Sequence, residues 1–139
     1  MPVYETGKVI LEGLPHGSDL LETITDLARR EGIKIGTVSA IGAVQRARIG
    51  YYDQESRRYR ESVIEKRMEI LSCLGNISCK ADEIVVHAHI ALAGENGQAM
   101  GGHLCVGTVV FAAECLLCEL RGEPLKRVYD EITGLSLWK

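Results

Sequence analysis

The chain is poor in aromatic residues, with one Phe, one Trp and five Tyr among 139 positions. Its core must therefore be aliphatic, built from Ile, Val, Leu and Ala. Three prolines and no low-complexity stretch leave no linker, so a single domain over 1–139 is expected. No apolar run approaches the roughly 20 residues needed to cross a bilayer. The start, Met1-Pro-Val-Tyr-Glu-Thr-Gly-Lys, lacks the basic and apolar regions of an export signal, which makes a cytoplasmic setting the expectation. Basic charge is scarce too: 16 Lys+Arg against 19 Asp+Glu leave a net −3. That balance argues against nucleic-acid binding by bulk charge, which needs a net basic face. Neither a GxGxxG nor a GxxxxGK(S/T) pattern occurs, so nucleotide binding has no support. Ser39 and Ser72 lie outside any nucleophile-elbow sequence.

Glycine and cysteine are well represented. Fifteen glycines point to turns, bulges or close backbone approaches. Five cysteines, an odd number without an export signal, read as reduced thiols. Cys115 and Cys118 form a CxxC, but the segment around them is β-branched and apolar. On a strand, positions i and i+3 face opposite ways and cannot hold one ion together.

Only one segment has clear helical periodicity. Ser18 or Asp19 can cap it, Glu22 completes a capping box, and Leu20, Leu21, Ile24, Leu27 and Ala28 form one apolar stripe. Arg29 and Arg30 suit the last turn and Gly32 ends it, giving an amphipathic helix over about 18–31. The rest reads as short strands: 8–11, a Gly-punctuated stretch 33–43, 46–52, 57–64, 67–73, 84–93, 98–104 and a long or bent strand 106–120. Turns are expected at 53–56, at Gly75-Asn76, at 80–83 and at 94–97. A short segment, 125–129, follows. Hairpins dominate, so the expected fold is α+β: a mainly antiparallel sheet of about seven strands with the helix packed on it.

Three of the four histidines lie between positions 87 and 103. His87 and His89 are i and i+2 on a strand and share a face. Three imidazoles with an open fourth position are a known catalytic zinc arrangement. Parity tests the idea. With a two-residue loop at Glu95-Asn96, His103 falls opposite Ala88 and points away from the other two. An odd loop, or a bulge built most easily at Gly101-Gly102, brings it onto their face, so a three-His site predicts a register break near Gly101. The alternative is ordinary semi-buried strand histidines. His16, in a Pro-Gly loop, reads as a surface residue or a fourth ligand.

Arg57, Arg58, Arg60 and Arg67, interleaved with tyrosines, form the only basic-aromatic patch, either a phosphate-contacting surface or a solvated hairpin edge. Glu69 and Glu114 sit in apolar strand sequence. Each is a candidate catalytic base, a partner to a histidine, or an edge or subunit contact.

An ordered set of motifs then resembles one family. The segments are Gly17-Ser-Asp-Leu-Leu-Glu22, Gly36-Thr-Val-Ser-Ala-Ile-Gly-Ala43, Gly50-Tyr-Tyr-Asp53, Met68-Glu-Ile-Leu-Ser72 with Gly75-Asn-Ile-Ser78, His87-Ala-His89, Gly101-Gly-His-Leu104 and Tyr129-Asp-Glu-Ile-Thr-Gly-Leu135. Together they resemble the PPC domain, conserved in plants and prokaryotes, over about 7–137. The resemblance implies a stand-alone PPC domain with an α+β fold, assembling as a homotrimer. It implies that His87, His89 and His103 bind a divalent metal, with zinc the usual ion. Prokaryotic members carry a DNA-binding label, but the Arg-Gly-Arg-Pro AT-hook of the plant proteins is missing here. The implied role is therefore interaction or regulation, with DNA reached through a partner. The fold is also similar to that of acetolactate decarboxylase, which gives the alternative of a zinc-dependent lyase or hydrolase acting on a small keto or hydroxy acid. In a third reading, the histidines only staple subunits together.

Overall fold

The computed structural model describes residues 2–138. In chain order the elements are β1 (Glu5–Leu14), α1 (Leu20–Arg30), β2 (Gly36–Asp53), β3 (Arg58–Ile64), β4 (Met68–Lys80), β5 (Glu83–Ala93), β6 (Ala99–Leu104), β7 (Val109–Arg121), β8 (Arg127–Asp130) and β9 (Leu135–Trp138). β1 to β7 form one seven-stranded sheet in the order β1-β7-β2-β4-β5-β6, with β3 also paired to β2. Every pairing between these strands is antiparallel. β2 is the spine. Its first half pairs with β7 and β4, and its second half with β3, while Ile49 and Gly50 reach β6 and close the sheet on itself. β8 and β9 form a separate hairpin.

α1 is capped by Asp19, whose Oδ1 accepts from the backbone N–H of Glu22 while Oδ2 accepts from that of Gly107. One carboxylate thus starts the helix and ties it to the β6–β7 connection. Gly32, at φ +69°, follows the last turn. Leu20, Ile24, Leu27 and Ala28 are buried in a core with Val38, Val44, Ile77, Ile90, Leu92, Leu104, Val110 and Leu117, all aliphatic.

Several local expectations need correction. Residues 36–43 and 46–52 belong to one strand, β2, whose register against β4 shifts near Gly42 without breaking it, while 33–35 lie before the strand. No turn forms at Gly75-Asn76, because β4 runs straight through it. A Cβ at Gly75 would sit 2.4 Å from the carbonyl oxygen of His87, so this glycine permits close strand approach. β9 is a strand beyond those expected from the sequence. The 67–73 and 57–64 strands are present as β4 and β3, and Cys115 and Cys118 do lie on a strand, one buried and one half-buried.

The sheet has two unlike faces. One lies under α1. On the other, residues directly opposite one another form a row across the strands: Leu11, Leu116, Ser39, Leu74, His89 and His103. Leu11 and Leu74 are 79% and 62% exposed in this row. Among the described residues no helix is long and apolar enough to cross a membrane.

Candidate metal centre

His87 and His89 project from the outer face of β5, since Val86, Ala88 and Ile90 take the core side. His103 on β6 lies directly opposite His89. The register break expected near Gly101 does not occur. Pairing is regular from Ala93–Ala99 to His89–His103, and the odd length of the loop 94–98 sets the parity. Gly101 and Gly102 serve close packing instead. A Cβ at Gly101 would stand 2.1 Å from the carbonyl oxygen of Ile90, and one at Gly102 2.6 Å from that of Gly50.

The candidate ligand atoms of the three rings all lie within 4.8 Å of one another. His87 Nε2 and His89 Nε2 are 3.3 Å apart. Two nitrogens on one tetrahedral zinc, each about 2.0–2.1 Å from it, stand roughly 3.4 Å apart, so this pair already has chelating separation. His103 Nδ1 is buried without a hydrogen-bond partner, an arrangement that costs stability unless something completes it. Burial, then the neighbouring charges of His103, Arg127 and His89, push His87 down to about 4. Burial and His89 also lower His103, while Glu61 opposes the shift. Neutral imidazole is the form that binds metal, so the environment favours the ligating state. The donor set fits a borderline divalent ion, and three protein ligands leave one coordination position open.

The surroundings came only partly from sequence. Neither Glu69 nor Glu114 is brought to the histidines. On β4, Glu69 is paired with Ala93 while Asn76 is paired with His87, roughly 20 Å further along the strand. Exposed Glu114 lies on β7, three strand spacings or about 14 Å from β5. The carboxylate whose charge reaches His103 is Glu61 on β3, ion-paired with Arg48 at 2.5 Å. Tyr59 lays its ring 4.9 Å from that of His103 and 5.0 Å from that of Tyr52. Tyr59 and Glu61 alternate on β3, and Gly50, the partner of Glu61 on β2, also pairs with His103, a closeness between distant strands that local sequence does not encode.

The arginines do not form one basic face. Arg57 donates to the carbonyl oxygen of Glu131, and Arg60 pairs with Asp53. Arg58 begins β3, whereas Arg67 lies past its other end, lining a cleft of about 620 Å³ with Glu69 and Glu95. His16 is remote from the cluster. Its Nδ1 is 2.7 Å from the carbonyl oxygen of Phe111 and its ring meets the Phe111 edge.

Comparison with known proteins settles the family. The model of the Plants and Prokaryotes Conserved (PCC) domain matches residues 1–121. The chain belongs to this family. Among solved structures, a metal-containing protein from Archaeoglobus fulgidus is 42% identical with a TM-score of 0.94, covering 100% of this chain and 99% of that one. A plant- and prokaryote-conserved protein from Pyrococcus horikoshii is 35% identical with a TM-score of 0.95, covering 100% and 96%. A Ralstonia eutropha protein provisionally named DNA-binding is 26% identical with a TM-score of 0.81, covering 93% and 89%. The bifunctional protein GlmU of a Synechococcus strain is 31% identical over 120 residues, which are 85% of this chain but only 18% of that protein. PCC membership accounts for the α+β fold and for the motifs up to Leu104, whereas Tyr129–Leu135 lies beyond the matched residues.

Proposed function

We propose that this PCC protein binds one divalent metal ion per chain, zinc by preference, through His87, His89 and His103. We further propose that it works as a homotrimer in an interaction or regulatory role. The observation that carries the reading is the convergence of three imidazoles on one face, with the ligand atoms within 4.8 Å. The Archaeoglobus neighbour, described as metal-containing, supports it. The exposed leucines of the outer face support assembly, because apolar patches of this kind mark contact surfaces. Five free cysteines fit a reducing, cytoplasmic setting.

DNA enters this reading through a partner. The Ralstonia neighbour's name suggests DNA, but the net charge of −3 and the arginines already held by Glu131 and Asp53 favour an indirect contact. Metal analysis of the purified protein and of His87→Ala tests the metal, light scattering tests the trimer, and a DNA shift assay at two salt concentrations tests direct binding. Stoichiometric metal in the wild type and its loss in the variant are expected. A metal-free wild type overturns the metal site, and a mass other than three chains overturns the trimer.

A second reading is favoured by Tyr59 and Glu61 beside the histidines: a metal-dependent lyase or hydrolase acting on a small keto or hydroxy acid. A bound zinc would supply Lewis acidity at its open position. Tyr59 would present a phenol and an aromatic wall, while Glu61, held by Arg48, would offer an oxygen as proton acceptor.

A further inference from the structure

The C-terminal hairpin lies beyond the residues matched by the family model, yet it borders the histidine cluster. Three anchors hold it there. Tyr52 donates to the carbonyl oxygen of Thr133 at 2.6 Å, Arg57 donates to that of Glu131 at 3.0 Å, and Arg127 reaches across to β4. Arg127 Nε donates to Ser78 Oγ at 2.7 Å, Nη2 to Asn76 Oδ1 at 2.7 Å and Nη1 to the carbonyl oxygen of Ser136 at 3.1 Å. Trp138 stacks on the guanidinium, 5.4 Å from ring centre to carbon. Asn76 pairs directly with His87 across β4 and β5, so the guanidinium stands beside the histidine cluster on the same face.

Burial disfavours the charge of this guanidinium, and no carboxylate is among its hydrogen-bond acceptors. The side chain is half-buried, and its three acceptors are all neutral. Three of its five N–H groups are taken, leaving one hydrogen on each terminal nitrogen. A guanidinium fixed in place with two donors spare matches the two oxygens of a carboxylate. We propose that the hairpin makes the histidine cluster a binding site for a small carboxylate, with Arg127 as the residue that pairs with its acid group. The inference rests on the metal reading above, since the ion and Arg127 would hold the ligand from two sides.

Cobalt-loaded protein gives a visible spectrum that reports ligands at the metal without any assay of activity. Pyruvate is the charged probe and imidazole the neutral one. The expected result is that Arg127→Gln weakens pyruvate binding at least about tenfold and leaves imidazole binding within about twofold, while Arg127→Lys falls between. Equal pyruvate affinity in wild type and Arg127→Gln overturns the assignment. So does equal weakening of both probes, which would mean that the hairpin had merely come loose. Failure of the wild type to take up cobalt overturns the metal reading, and this inference with it. Cobalt uptake without a pyruvate response overturns this inference alone.

Discussion

The two faces of one sheet follow different rules. Under α1, Val38, Val44, Ile90, Leu92 and Leu117 are aliphatic and nearly inaccessible, as close packing without aromatic bulk requires. The outer face carries His87, His89, His103, Tyr59 and Arg127 beside leucines open to solvent. Alternation along each strand assigns residues to the two faces, so a single strand such as β5 packs the core with one set and presents the histidine pair with the other. The lesson is that substitutions one residue apart should have effects of different kinds.

The largest contrast is between Leu117 and Leu74. Leu117 is 0% exposed, so Leu117→Ala removes packing and leaves a cavity, at an expected cost of about 2–5 kcal/mol in urea unfolding. Leu74 lies on the outer face. Leu74→Ala should alter unfolding of the single chain by no more than about 0.5 kcal/mol, while lowering the assembled mass seen by light scattering. Equal destabilisation by the two variants would erase the distinction between the faces.

Next in size is Gly101→Ala. The new methyl group meets the Ile90 carbonyl and forces β6 away from β5. Overpacking of this kind costs about 1–3 kcal/mol. Because His103 is two residues further on, metal content should fall even when the variant folds. Full metal content in a folded Gly101→Ala would show that the cluster tolerates movement of β6.

These contrasts also mark what was legible beforehand. His87 and His89 were readable as a pair because strand periodicity is local. Whether His103 joined them depended on one residue of loop length, which composition does not encode, and the glycines that suggested a bulge proved to be sites of close contact. Gly75 misled for the same reason: a glycine needed for strand approach has the same sequence signature as one needed for a turn. The helix was legible almost to the residue, since Asp19, the apolar stripe and Gly32 all act within a few positions. Arg127, Asn76 and Glu61 could not be placed, because their closeness to the histidines arises from pairing between distant strands. Glu69 and Glu114 attracted notice for carboxylates in apolar sequence, and the strand order sets them apart from the cluster.

A smaller effect comes from pH. In the metal-free chain His87 titrates near 4 against a reference of 6.5, because burial and neighbouring positive charge disfavour its protonated form. Between those values the unfolded chain takes up a proton that the folded chain does not. Stability should therefore be full above pH 6.5, decline as pH falls towards 4, and lose nothing more from this group below that. His103, shifted in the same direction, adds to the decline. Thermal unfolding of chelator-treated protein should show the slope, and His87→Asn should flatten it. An unchanged slope would place the titration elsewhere.

The finest test lies within the CxxC, where the two faces meet only three residues apart. Cys115 is on the core side, and burial pushes its thiol up to about 12. Cys118 pairs with Thr37 and Val9 on the outer side and is half-buried. Reaction with a thiol reagent requires both the thiolate and access. Under native conditions at pH 8, Cys118 should be modified at least about tenfold faster than Cys115, with stability little changed. Cys73, buried beneath the same layer and raised to about 11, should follow Cys115. Peptide mapping after a timed labelling reads each site separately. Equal rates at Cys115 and Cys118 would mean that the chain opens between the faces faster than the reagent reacts. The difference between the faces would then be one of average occupancy, not of protection.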